Sequence, residues 1–99
     1  MLTEKIPVKG TLVQLAADTV ITGHVIGRLL VDDVIQCARE CLLYLNCLSI
    51  NYEYKSTASR RLPNLGMICE LNDEKKSDVH FQRRDGYKYY EKININSLQ

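Results

Sequence analysis

The fold is decided between residues 33 and 54, where the chain reads Asp33-Val-Ile-Gln-Cys37-Ala-Arg-Glu-Cys41-Leu-Leu-Tyr-Leu45-Asn-Cys47-Leu-Ser-Ile-Asn-Tyr-Glu-Tyr54. The first half carries a helical signal. Asp32 or Asp33 supplies an N-cap, and Gln36 stands three residues beyond Asp33, the spacing of a capping box. Val34, Cys37/Ala38, Cys41/Leu42 and Leu45 recur at three- and four-residue steps, which predicts a helix over 33–45 with one apolar stripe. Arg39, Glu40 and Tyr44 fall toward the other face, and Asn46, tolerant of the left-handed conformation, is a suitable stop. The second half alternates. Leu48, Ile50, Tyr52 and Tyr54 share one side and Cys47, Ser49 and Asn51 the other, which is a strand.

Upstream, residues 10–15 and 19–26 are rich in Val, Ile, Leu and Thr and read as two short extended segments. Ala16-Ala17-Asp18 and Gly23 punctuate them, and Gly27-Arg28 closes the section. Downstream, residues 55–66 (KSTASRRLPNLG) show no periodicity and form a loop. A short strand at 67–71 is ended by Asn72-Asp73, and residues 74–85 are mostly charged, with Val79 and Phe81 as apolar anchors. Residues 86–93 make a final aromatic strand in which Tyr87 and Tyr89 share a face. One helix among several antiparallel strands gives an α+β domain with the helix packed on one sheet face. The domain is expected over 10–93, with 1–9 an N-terminal extension and 94–99 a tail or linker.

Bulk properties narrow the function. With 99 residues there is room for one domain, and 45% apolar and 25% charged residues suit a folded one. A net charge of +1 argues against nucleic-acid binding, which needs a strongly basic face. No apolar run approaches the roughly 20 residues that span a bilayer, so membrane insertion is not expected. The first residues have no apolar core of a signal peptide, yet four cysteines crowd one third of the chain, as in secreted domains. The expectation is an excised extracellular domain whose secretion signal lies elsewhere in its parent. The competing expectation is four reduced cysteines packed as small hydrophobes.

Four cysteines allow three pairings. Cys37 and Cys41 lie four apart on one helix with nearly parallel Cβ directions, which suits a mutual bridge poorly. Cys47 lies just past the helix end, about 6 Å along the axis from there to Cys41 and about 12 Å to Cys37. The turn therefore favours Cys41–Cys47 and leaves Cys37–Cys69. Loop-closure entropy assigns about 2.4 kcal/mol to the short loop and about 3.7 kcal/mol to the long one, an upper bound when summed. The rival is an intracellular domain with zinc on all four thiolates. The spacing C-x3-C-x5-C-x21-C, with its first pair inside a helix, does not match the close knuckle pairs of structural zinc. The C-x-x-C of thioredoxin-like redox sites is absent.

On these residues the chain resembles the PAN/apple family: a helix carrying C-x3-C, the strand Cys47-Leu-Ser-Ile-Asn-Tyr52, a later Cys69-Glu-Leu71, and the closing Gly86-Tyr-Lys-Tyr-Tyr90. Thr22-Gly-His-Val-Ile26 is also similar to the first strands of such domains. The resemblance implies a helix cradled by an antiparallel sheet of about five strands. It is to the two-disulfide form, similar to the N-terminal domain of hepatocyte growth factor, because the cysteines of a third bridge joining the termini are missing. It further implies a non-catalytic module of a larger secreted or cell-surface protein, binding proteins or carbohydrates, with heparin among the ligands of that relative.

No catalytic arrangement is legible around the two histidines, His24 and His80, so neither an enzyme nor a cofactor is expected. The basic pairs Arg60-Arg61, Lys75-Lys76 and Arg83-Arg84, all in predicted loops, with Lys88 and Lys92 on the last strand, are candidates for docking a sulfated or carboxylated glycan. Asp73, Glu74, Asp78 and Asp85 interleave with them, as on an ordinary solvated surface. The loop at 55–66 is a second candidate. Tyr52, Tyr54, Tyr87, Tyr89 and Tyr90 make either a contact surface or, as alternation already explains, packing. No N-glycosylation sequon is present. The expected function is recognition of an extracellular protein or glycan; the alternative is a self-associating spacer of a matrix or adhesion protein. Oligomeric state is not read from the sequence.

Overall fold

In the computed structural model, which describes residues 11–55, 66–75 and 81–93, the helix α1 spans Val34–Leu42. Asp33 caps it in extended geometry, accepting from Gln36 N at 2.9 Å, while the Gln36 side chain reaches back to Asp32 N at 2.8 Å. The helix stops three residues before the predicted end. Cys41 and Cys47 are bridged with their Cα atoms 5.3 Å apart, whereas a helix continued to Cys47 would separate them by about 9 Å along its axis. The chain must therefore turn back. Leu43 N donates to both Arg39 O and Glu40 O, and Cys47 N donates to Tyr44 O. Leu45 consequently leaves the apolar stripe and stands 96% exposed.

Five strands surround it: β1 (Thr11–Ile21), β2 (Val25–Val31), β3 (Ser49–Glu53), β4 (Met67–Asn72) and β5 (Phe81–Ile93). They form one antiparallel sheet in the order β1-β5-β3-β4-β2, with the helix on one face. The second bridge, Cys37–Cys69, ties the helix to β4 with a Cα separation of 5.6 Å. Around it lies the main core of Val31, Cys37, Cys41, Cys47, Ile50, Tyr52, Cys69 and Leu71, flanked by Leu29, Val34, Met67 and Tyr90.

The ends of the chain depart from the sequence reading. Residues 11–21 are one strand, not two segments, because Ala16-Ala17-Asp18 is a bulge and not a break. Ala17 pairs with Lys88 but Thr19 pairs with Arg83, so residues 84–87 of β5 loop out of the pairing with β1. Asp18 takes a left-handed φ of 55°, and its Oδ1 accepts from Gly86 N and Tyr54 Oη, both at 2.9 Å. Gly86, at φ 89°, is required here, since a Cβ would meet Lys55 O at 2.8 Å. Beyond this double kink, residues 19–21 and 81–83 fold as an arm over the sheet face away from the helix. Ile21 is sealed there, and Phe81 packs edge-on to Tyr89 at 5.1 Å. Two further corrections follow. Gly27-Arg28 does not close its segment but sits mid-strand in β2, and β5 begins at Phe81, so Arg83 and Arg84 lie in a strand and not a loop. The central strand β3 is buried on both faces.

Candidate recognition surface

The face under the arm is polar and closed. Glu70 is 2% exposed, and its Oε2 accepts from Arg28 Nε at 3.1 Å and Arg28 Nη2 at 2.7 Å. Arg84 Nη1 lies 3.4 Å from both carboxylate oxygens, and Asn51 Nδ2 donates to Oε1 at 2.9 Å. Arg84 also sits over the Tyr87 ring, 4.9 Å from its centroid. Burial, then the Glu53 and Glu70 charges, push the Tyr87 phenol up. Asn51 closes the arm, accepting from Ile21 N at 3.1 Å and donating to Ile21 O at 2.9 Å. Glu53 accepts from Ile68 N at 2.9 Å. Nearby, Asn72 Nδ2 donates to Ser49 Oγ, which donates to Glu74 O. Both buried carboxylates thus serve the fold.

The basic candidates are divided. Arg84 is committed to Glu70. Arg83 pairs with Asp85 at 2.9 Å, both exposed, and Lys88 Nζ lies 4.6 Å above the centre of the Tyr54 ring. Arg83 and Lys55 act on the Asp18 carboxylate, whose pKa is held below the usual range mainly by the Gly86 and Tyr54 hydrogen bonds. Arg83, Lys88 and Lys55 therefore gather near the Asp18–Tyr54 contact at one end of the sheet. Lys75 is at the other end, beside Lys92, whose amine is lowered first by burial and then by the Lys75 charge. Lys92 Nζ donates to Tyr44 O at 3.3 Å. Arg60, Arg61 and Lys76, with nearly all of the candidate loop, lie outside the described residues, as does His80. His24 Nδ1 stands 3.5 Å from an Asp73 carboxylate oxygen.

The tyrosines divide by face. Tyr87 and Tyr89 are buried beside Glu53 and Asn51 under the arm, while Tyr52, Tyr54 and Tyr90 line the helix side. A different surface was missed by sequence reasoning. Along the edge strand β2, Ile26, Gly27 and Leu29, with Leu71 of β4 beside Gly27, line a shallow groove of about 430 Å³ that Glu40 and Tyr44 also border. Beside it the turn clamped by Cys41–Cys47 holds Leu43 at 71%, Tyr44 at 49% and Leu45 at 96% exposure. The signal was present: Leu42 to Leu45 are four consecutive apolar residues, more than one helix face holds.

Among the described residues, no group of three or more His, Cys, Asp or Glu side chains is placed to hold a metal, and no helix is long and apolar enough to cross a membrane. A family model described as PAN domain matches residues 13–95. No curated protein and no solved structure gives a significant match.

Proposed function

The chain belongs to the PAN domain family, and on that premise we propose that it is a non-catalytic extracellular module recognising a protein or carbohydrate as part of a larger secreted or cell-surface protein. The observation that carries this reading is the division of labour between the buried and exposed side chains. Glu53 and Glu70, the buried carboxylates, are engaged by fold contacts, while a rigidly clamped turn presents Leu43, Tyr44 and Leu45 to solvent beside an open groove. Exposed aromatic and aliphatic side chains on a backbone tied by a disulfide suit binding, because little backbone entropy is lost on contact. Two buried disulfides suit an oxidising compartment.

The gathering of Arg83, Lys88 and Lys55 supports a second reading, an anionic glycan such as heparin docking at that end of the sheet. Arg60 and Arg61 belong to the segment that follows Lys55 in the chain. Lys75 belongs to the opposite end, and it and its sequence neighbour Lys76 are proposed as peripheral contacts at most.

The test is heparin chromatography at low salt together with binding to panels of extracellular proteins and uncharged glycans. An Arg83→Ala/Lys88→Ala variant should elute at lower salt if the cationic end binds. A Tyr44→Ala/Leu45→Asp variant should lose protein binding if the turn does. A parent that is not retained on heparin ends the anionic-glycan reading. Absence of any ligand across the panels for the folded, oxidised domain would overturn the proposal as a whole.

A further inference from the structure

We infer that Arg28 and Arg84 together form a carboxylate-binding site for an acidic side chain of a protein partner. The site begins with an imbalance of charge. Glu70 is a single buried carboxylate on which two guanidiniums converge: Arg28 from β2, with Nη2 at 2.7 Å, and Arg84 from β5, with Nη1 at 3.4 Å. One guanidinium neutralises it, so a positive charge is left over at this point of the surface. Glu53, the other buried carboxylate of this face, lies two residues beyond Asn51 along β3 and accepts from Ile68 N.

Neither arginine is used up by Glu70. A guanidinium carries more N–H donors than one carboxylate can take. Arg28 spends Nε and Nη2 on Oε2, and Arg84 reaches the carboxylate with Nη1 alone. The Arg28 side chain is 63% exposed and that of Arg84 38%, so both forks keep donors in water. Both heads are also held in place before a ligand arrives, Arg28 by its two bonds to Oε2 and Arg84 by the Tyr87 ring, 4.9 Å from its centroid. Donors fixed in this way lose little freedom on binding. A planar oxyanion is the group they match, because parallel N–H···O bonds join guanidinium to carboxylate.

The neighbouring side chains select the source of that carboxylate. Leu30, two residues from Arg28 on the same side of β2 and opposite Ile68, is 50% exposed. The Tyr87 ring is buried beneath Arg84 and offers no platform for a sugar. One surplus charge beside an aliphatic side chain fits an acidic residue with an aliphatic residue two positions away, both on one side of an extended segment. A sulfated glycan, with many charges and no aliphatic side chain, fits it poorly. The inference rests on the recognition reading above, but it uses neither the turn nor Arg83, Lys88 and Lys55.

The test is a titration of the oxidised, isotope-labelled chain at low salt, followed by proton–nitrogen correlation spectra. The probes are the peptide acetyl-Glu-Ala-Leu-amide and its counterpart acetyl-Gln-Ala-Leu-amide. The acidic peptide should give saturable shifts of the Arg28 and Arg84 Nε–H signals, and the Gln peptide should bind about 10-fold more weakly or less well still. Arg28→Lys keeps a cation beside Glu70 but gives up the planar fork, and should weaken the acidic peptide about 10-fold. Leu30→Ser should weaken it about 3-fold. Arg39→Gln, which removes a charge from the helix on the other face, should leave it unchanged. Equal binding of the two peptides overturns the inference. So does the absence of a saturable shift at both arginines up to about 10 mM peptide, or a folded Arg28→Lys chain that binds as the parent does. Shifts there with a heparin fragment but not with the acidic peptide also overturn it, by assigning the pair to sulfate. Heparin retention through Arg83 and Lys88, or protein binding through the turn, would persist in each of these cases, so failure here is separate from failure of the recognition reading.

Discussion

Replacing Asn51 by alanine tests whether the polar contacts under the arm are what hold it down. Asn51 is fully buried in the central strand and makes three hydrogen bonds: with Ile21 N, with Ile21 O and with Glu70. It acts as a strand partner for a residue that has none on that side. Alanine cannot replace these bonds, and Ile21 is itself sealed from water. Leaving a buried N–H and C=O unpaired costs about 1–3 kcal/mol each. The lost hydrogen bond to the Glu70 carboxylate adds to this, while partial entry of water subtracts. The net expectation is a loss of about 3–5 kcal/mol, a large share of the roughly 5–15 kcal/mol that stabilises a domain. Urea unfolding of the oxidised protein, followed by far-ultraviolet circular dichroism because the chain has no tryptophan, measures it. The midpoint should fall with an unchanged slope. Asn51→Asp sharpens the test. It keeps an acceptor for Ile21 N but sets a second carboxylate beside Glu70, so its stability should rise as pH is lowered from neutrality, where one of the two can take a proton. A loss below about 1 kcal/mol in Asn51→Ala with a native slope would refute the reasoning.

Other outcomes follow from the same geometry. Complete reduction should remove up to about 6 kcal/mol and strongly lower the melting temperature, with Cys41–Cys47 contributing less than Cys37–Cys69; an unchanged melting temperature after thiol titration has verified reduction would contradict this. Gly86→Ala should destabilise by about 2–4 kcal/mol, because the new Cβ meets a backbone carbonyl and φ is positive; calorimetry showing a neutral effect would mean that the kink relaxes freely. The Asp18 pKa is depressed by hydrogen bonds present only in the fold, so its contribution is complete above the ordinary carboxylate value near 3.8 and is lost as pH falls through the depressed value. Asp18→Asn, which tolerates the same backbone and still accepts hydrogen bonds, should therefore be less stable than the parent at neutral pH, with the gap closing in acid; parallel stability–pH curves would contradict the assignment.

The helix and the alternating strand after it were legible because both depend on local periodicity. The end of the helix was not, because it is imposed by Cys47 returning to Cys41 through space. Ala16-Ala17-Asp18 reads locally as a break. Only Gly86, 68 residues beyond Asp18, supplies the donor and the opposing kink that make it a bulge. Arg84 was grouped with Arg83 by adjacency, yet neighbours on a strand point to different surroundings. One reaches Glu70, which is 2% exposed, and the other stays with Asp85 in solvent. The groove escaped notice because its walls come from β2, the helix and the turn, which no sequence spacing connects.

This geometry also determines which substitutions can report on function. Loss of binding in Arg84→Ala would be ambiguous, since removing that guanidinium strips a partner from the buried Glu70 carboxylate and the lid from the Tyr87 ring. Arg83 and Leu45 stand almost free of the fold, so substitutions there should leave stability within about 0.5 kcal/mol of the parent. Any change in binding must then come from the contact itself. Stability resides in the two bridges and the network under the arm, whereas the candidate contacts on the turn and the cationic end lie outside them. That separation lets a binding defect at these outer positions be read without correcting for unfolding.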